Sequence, residues 1–187
     1  MADKKYIFGY GSLVSRPSIT QTLQRDPGEL HSATLSGWIR DWTVVLDNTS
    51  TIRRFELLPD RTVPKHVVAL NVRRPRAGEE PTNPNGVIFE VSRDDIRRMD
   101  ERENHYERIE ITDELSLNLE GNIYTYVGLN KYETLAEHKN DAILPLSYLQ
   151  LVEQGFGTIS ETEVETFNQT TLFPKIARKS TLHTSSL

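Results

Sequence analysis

Tyr6-Ile7-Phe8 is a run of aromatic and branched residues that stops at Gly9-Tyr10-Gly11-Ser12, the pattern of a strand entering a tight loop. Ser15-Arg16-Pro17-Ser18 then reads as a helix entry with an early proline, and Ile19 and Leu23 stand four apart on one face. Trp42 to Leu46 predicts a strand closed by the turn-forming Asp47-Asn48-Thr49-Ser50, and Val67 to Val72 predicts another. Residues 75–85 are polar and hold three prolines, so they form a loop, either a mobile lid or an inert connection. Gly86 to Val91 returns to strand character. Ser92, with Asp95 three residues on, makes a capping-box start for a helix running to about Glu103.

Beyond that helix, Tyr106 to Ile111 alternates, with Ile109 and Ile111 on one face and Arg108 and Glu110 on the other. Leu115 to Leu119 and Ile123 to Val127 flank Glu120-Gly121-Asn122, a hairpin signal. Pro145 to Gly155 has helical spacing and a glycine stop, and Ser160 to Asn168 reads as a short helix opened by Ser160 and Glu163. The expected organisation is one domain over residues 1–178 and a frayed, flexible tail over 179–187.

Composition narrows what such a chain can do. A length of 187 residues suffices to bury a core without staples, and a chain with no cysteine has no disulfides, thiolate metal sites or cysteine nucleophiles. The first apolar run is too short for a signal peptide, and no stretch approaches the roughly 20 apolar residues of a membrane helix, so a cytoplasmic protein with no membrane partner is expected. A formal net charge of -5 opposes attraction to phosphate polymers, which makes nucleic acid an unfavoured partner. The clusters Arg53-Arg54, Arg73-Arg74-Arg76 and Arg97-Arg98 read as solvated surface, with a substrate carboxylate as the other use of their bidentate forks.

Candidate chemistry reduces to two places. The five histidines, at 31, 66, 105, 138 and 183, never stand three or four residues apart, so no metal site is expected, and His105 reads as a loop histidine. Gly9-Tyr10-Gly11 fails as a dinucleotide fingerprint because the third glycine position is Val14. It is either a plain tight turn or a loop whose successive N–H groups hold a carboxylate or oxyanion. Ile96, Met99 and Glu103 share one helical face, which puts a carboxylate on the core side, whereas Asp100 and Glu101 fall on other angles and read as solvated. Such a glutamate is either half of a structural ion pair, with Arg108 as partner, or a catalytic acid/base.

Phe8-Gly9-Tyr10-Gly11-Ser12-Leu13 and Met99-Asp100-Glu101-Arg102-Glu103-Asn104-His105-Tyr106 together resemble the gamma-glutamyl cyclotransferase-like superfamily. The first segment is similar to the glycine signature of its ChaC-type branch, and the second to its catalytic helix end. Asn85 to Val91 and Pro145 to Leu149 resemble the strand before that helix and a late Pro-x-x-Tyr element, so the likeness covers roughly residues 5 to 157. It implies an α+β fold, a compact mixed β-barrel with helices packed round it, no cofactor, and a small-molecule gamma-glutamyl substrate. It also implies Glu103 as acid/base and Tyr10, Gly11, Ser12, Leu13 and Tyr148 as the substrate cradle. Asn104 stands where several relatives have glycine, which bears on the substrate more than on the acid/base.

The implied reaction explains the residue types. The substrate's α-amine attacks its own γ-carbonyl, so it must lose a proton, and the departing nitrogen must gain one. An ordinary Glu and an α-amine differ by about 3.5 pKa units, or about 5 kcal/mol against transfer, and burial on the Ile96 and Met99 face would narrow that gap. A non-catalytic binding or regulatory module on the same fold is the competing expectation.

Overall fold

The structure, a computed structural model, describes residues 4–49, 53–132 and 141–185. Strand β1 (Lys5–Gly9) lies at the centre of a five-stranded sheet, antiparallel to β6 (Asn85–Glu90) and parallel to β8 (Asn122–Gly128). Outside these run β2 (His31–Thr34), beside β6, and β7 (Tyr106–Glu110), beside β8. A second five-stranded sheet is built on β3 (Ile39–Asp47) antiparallel to β5 (His66–Arg73), with β9 (Ala142–Pro145) parallel to β5. Two-residue strands β10 (Thr171–Leu172) and β11 (Arg178–Lys179) finish its edges.

The sheets curl into a half-barrel with four helices, among the described residues, packed round it, an α+β fold with a mixed barrel. These are α1 (Arg16–Leu23), α2 (Arg93–Arg102), α3 (Leu146–Gly157) and α4 (Glu161–Gln169). All eight residues of β5 are buried, because it has a strand on either side and both faces covered. Ile7, Val14, Ile19, Trp42, Val87, Met99, Val152 and Phe156 sit in one fully buried cluster, which locks α1, α2 and α3 onto the sheets. No helix among the described residues is long and apolar enough to cross a membrane.

Several expectations hold at residue level. The Ser92 hydroxyl accepts from the Asp95 N–H at 3.1 Å while the Asp95 carboxylate accepts from the Ser92 N–H at 2.9 Å, a complete capping box that starts α2. The helix stops at Arg102, with Glu103 at its C-cap.

The hairpin expected at 115–127 does not form. β8 already has β7 on one edge and β1 on the other, so residues 115–119 have no edge left to pair with, and Leu115 instead bridges to Leu35. The tail is likewise more than a frayed end, since β12 (Thr181–Ser185) runs antiparallel to β4 (Arg53–Leu57), with the His183 ring 4.8 Å from that of Phe55. Strand pairing with a distant segment is invisible to local pattern. His138 lies outside the described residues.

The arginine clusters are also less uniform than their sequence reading. Arg73 is buried, donating to Asp41 at 2.7 Å and in bidentate fashion to Glu79 at 2.6 and 2.9 Å. Glu79 is thereby tied down in the middle of the 75–85 loop.

Candidate active site

β1 ends at Gly9, and the chain turns through Gly11 into one 3-10 turn over Ser12–Val14 before α1 begins. The turn leaves no room for a side chain at Gly9 and little at Gly11. A β-carbon on Gly9 would stand 2.5 Å from the Leu13 carbonyl oxygen, and one on Gly11 would stand 3.0 Å from the Tyr148 hydroxyl. Glycine at these two places lets the loop fold onto itself and lets Tyr148 rest on it.

A cavity of about 30 Å³ opens at this loop, lined by Phe8, Gly9, Tyr10, Gly11, Ser12 and Leu13 from the loop side. Glu103, Tyr148, Tyr106, Tyr126 and Leu70 complete it. All six residues expected from the sequence therefore meet at one cavity, although they come from the start, the middle and the late part of the chain. The 75–85 loop contributes no lining residue.

Glu103 is the one carboxylate among the described residues that line the cavity. Its side chain is 15% exposed and its oxygen lies 3.0 Å from Arg102 Nε. Arg108, the partner expected from the sequence, instead pairs with Asp100 at 2.8 Å, across from the end of α2. Asp100 is not merely solvated: it also accepts the Tyr126 hydroxyl at 2.8 Å.

The four tyrosines differ in what holds their hydroxyls. Tyr10 donates to the Tyr126 carbonyl at 2.7 Å and Tyr106 to the Leu70 carbonyl at 2.9 Å, while Tyr126 is committed to Asp100. Burial pushes the phenols of Tyr10 and Tyr106 well up, with neighbouring tyrosines and then Glu103 adding to it. Tyr126 is raised by burial and by Asp100. Burial and the nearby Glu103 charge push Tyr148 up to about 12, against hydrogen bonds from Ser12 that pull it down. All four are neutral near pH 7 and so remain hydrogen-bond donors. Trp42, fully buried, supports Tyr148 edge-on at 5.6 Å.

Beneath the loop lies Arg40, fully buried. It donates to the Asn85 carbonyl at 2.6 Å, to Asn85 Oδ1 at 2.8 Å, to Thr171 and Thr170 hydroxyls at 2.8 and 2.9 Å, and to the Tyr10 carbonyl at 3.4 Å. Its guanidinium packs on the Phe167 ring at 4.6 Å, and desolvation pulls its pKa down to about 9 despite the opposing pull of Tyr10 and Glu163. No sequence signal marked Arg40, because its partners lie up to 131 positions away. Leu70 was equally unmarked, being one apolar position in an apolar strand. Tyr106 and Tyr126 left a trace, as aromatic positions within the adjacent paired strands β7 and β8.

Comparison with solved structures accords with this geometry. One described as a gamma-glutamyl cyclotransferase superposes with a TM-score of 0.57 at 15% identity, over 90% of this chain and 86% of that one. The chain has the gamma-glutamyl cyclotransferase fold. An uncharacterized protein from Homo sapiens superposes with the same TM-score at 14% identity, over 95% of this chain and 94% of that one. A yeast gamma-glutamyl cyclotransferase specific to glutathione gives 0.51 at 14% identity, over 89% and 97%. No family model matches the sequence, and no curated protein does so either. At such identities the shared property is the gamma-glutamyl cyclotransferase fold, and activity has to be reasoned from the site.

Proposed function

We propose that the protein is a gamma-glutamyl cyclotransferase acting on a small γ-glutamyl amide. The observation that carries this reading is the meeting of Glu103 with the Gly9–Leu13 loop at one tyrosine-walled cavity. In the reaction, Glu103 takes a proton from the substrate's α-ammonium group, and the freed amine attacks the γ-carbonyl. The new C–N bond closes the five-membered ring of 5-oxoproline. Glu103 returns that proton to the amide nitrogen as the γ-carbon to nitrogen bond breaks, and the second proton shed by the ring nitrogen passes to the departing amine, which leaves as an ammonium while the lactam nitrogen keeps one hydrogen.

The loop supplies what the glutamate cannot. N–H groups of Gly11, Ser12 and Leu13, at the start of a 3-10 turn, are suited to hold the substrate carboxylate or the oxygen that gains charge in the tetrahedral intermediate. Tyr10 and Tyr148 flank the α-carbon and exclude water. The small cavity at the loop marks where the reacting end of a γ-glutamyl group would lie between Glu103 and the Gly9–Leu13 backbone. Tyr148 rests against Gly11 and forms the wall of the cavity facing the loop.

The test is to incubate the protein with glutathione, γ-glutamyl dipeptides and γ-glutamyl amines while assaying 5-oxoproline, beside Glu103→Gln. A general base contributes about 10²–10⁴-fold, so the variant should lose at least a hundredfold in kcat while remaining folded. Undiminished turnover in Glu103→Gln removes the assigned role. A folded wild-type protein that yields no 5-oxoproline from the whole panel favours a binding module.

A further inference from the structure

We infer that Arg102 is the positioning residue that fixes Glu103 against the substrate loop, an inference that rests on the acid/base role proposed above. Its guanidinium is the meeting point of three segments. Nε faces the Glu103 carboxylate at 3.0 Å, and one Nη donates to the Ser12 hydroxyl at 2.9 Å, so a single rigid group spans the acid/base and the loop. The same Nη reaches the Ser18 hydroxyl at 2.9 Å, while the other donates to Thr22 Oγ1 at 2.6 Å and the Ser18 carbonyl at 3.2 Å.

These bonds use the planar fork of an arginine. Three edges of the guanidinium are engaged at once by a carboxylate, a loop hydroxyl and the α1 backbone, and a lysine ammonium cannot span that separation. With its side chain 13% exposed, Arg102 is shielded from competing water, so each bond constrains geometry. The arrangement answers a problem posed by the fold. Glu103 stands at the C-cap of α2, beyond the last full helical turn, where backbone alone holds a side chain loosely. Anchoring it through α1 and Ser12 makes any movement of the carboxylate a movement of the loop as well.

Arg102 does not touch the space between Glu103 and the loop, as it is not among the cavity-lining residues, so its effect is indirect. Among the described residues, the charged and titratable groups seen to act on Glu103 include Arg102 on α2, Tyr10 after β1, Tyr106 on β7, Tyr126 on β8 and Tyr148 on α3. Arg102 is the cation of this set. Its removal favours the protonated carboxyl and moves the acid limb of activity to higher pH.

Two variants and two readouts decide the matter. Arg102→Lys keeps the charge and loses the fork; Arg102→Met keeps the length and loses both. Both should lower kcat, by about 10²-fold for a displacement near 1 Å, with KM changed far less. Only Arg102→Met should shift the acid limb of the kcat/KM profile upward. The second readout needs no turnover: the Glu103 side-chain carboxyl carbon is followed by NMR through a pH titration. Its midpoint should rise in Arg102→Met and stay near wild type in Arg102→Lys. If wild type makes no 5-oxoproline, the proposed function fails, yet the titration still decides whether Arg102 holds Glu103. A wild-type kcat in a folded Arg102→Lys, or an unmoved Glu103 midpoint in Arg102→Met, overturns the inference.

Discussion

Replacing Gly9 with alanine tests the loop at its tightest point. The added β-carbon would meet the Leu13 carbonyl oxygen at 2.5 Å, Leu13 Cβ at 2.6 Å and the Leu13 carbonyl carbon at 2.9 Å. Ordinary contact between carbons is about 3.5–4.0 Å, so relief requires Leu13 to retreat by about 1 Å relative to β1. None of the three atoms can rotate away, being backbone or Cβ. Leu13 is only 6% exposed, and Gly9 is itself held opposite Val87 in the sheet. Overpacking of this kind costs about 1–3 kcal/mol. At about 2–4 °C per kcal/mol for a chain of this length, the melting temperature should fall by about 2–12 °C. The loop N–H groups move with Leu13, and a 1 Å misplacement costs about 10²-fold in turnover.

The control is Gly78→Ala, in the 75–85 loop, where φ is +84° and no atom lies within 4 Å of the new carbon. Its cost is backbone strain alone, about 1–2 kcal/mol, with turnover unchanged. Thermal unfolding followed by circular dichroism, with a 5-oxoproline assay on each protein, separates the two. A Gly9→Ala protein with wild-type melting and wild-type turnover would refute the reasoning, because the loop would then be free to relax.

Two further outcomes concern the frame around the site. Arg73 holds the Glu79 carboxyl down at about 2, with help from the Arg76 backbone, against an ordinary value of 4.5. A depressed carboxyl contributes stability that is fully present above pH 4.5 and lost as pH falls towards 2. Glu79→Gln should therefore lower the urea midpoint at pH 7, with the gap to wild type closing as pH is taken down through that window; a gap constant with pH would exclude the linkage. Ending the chain at Ser180 removes β12, the strand paired with β4, together with the 2.7 Å hydrogen bond between Thr181 and Ser147. Trypsin cleavage between residues 53 and 65 should quicken by about tenfold for each ~1.4 kcal/mol of local stability lost, and an unchanged rate would show β12 to be dispensable.

Local chemistry made much of this protein legible from its sequence. The capping box at Ser92 and Asp95, the helical phase that turned Glu103 inward, and the glycines at 9 and 11 all depend on residues within a few positions of each other. Their consequences therefore follow from backbone geometry alone. Tertiary structure decided the rest. It chose Arg102 over Arg108 as the partner of Glu103, because Asp100 and Tyr126 claim the other side of the helix end. It gave β8 to β1 and β7, which dissolved a hairpin that looked sound from turn residues. It buried Arg40 among carbonyls and hydroxyls drawn from three separate segments, and it paired the last strand with one more than a hundred residues earlier. Such choices are competitions for a shared edge or a shared charge between segments distant in sequence, and a chain read locally carries no record of which competitor is nearer.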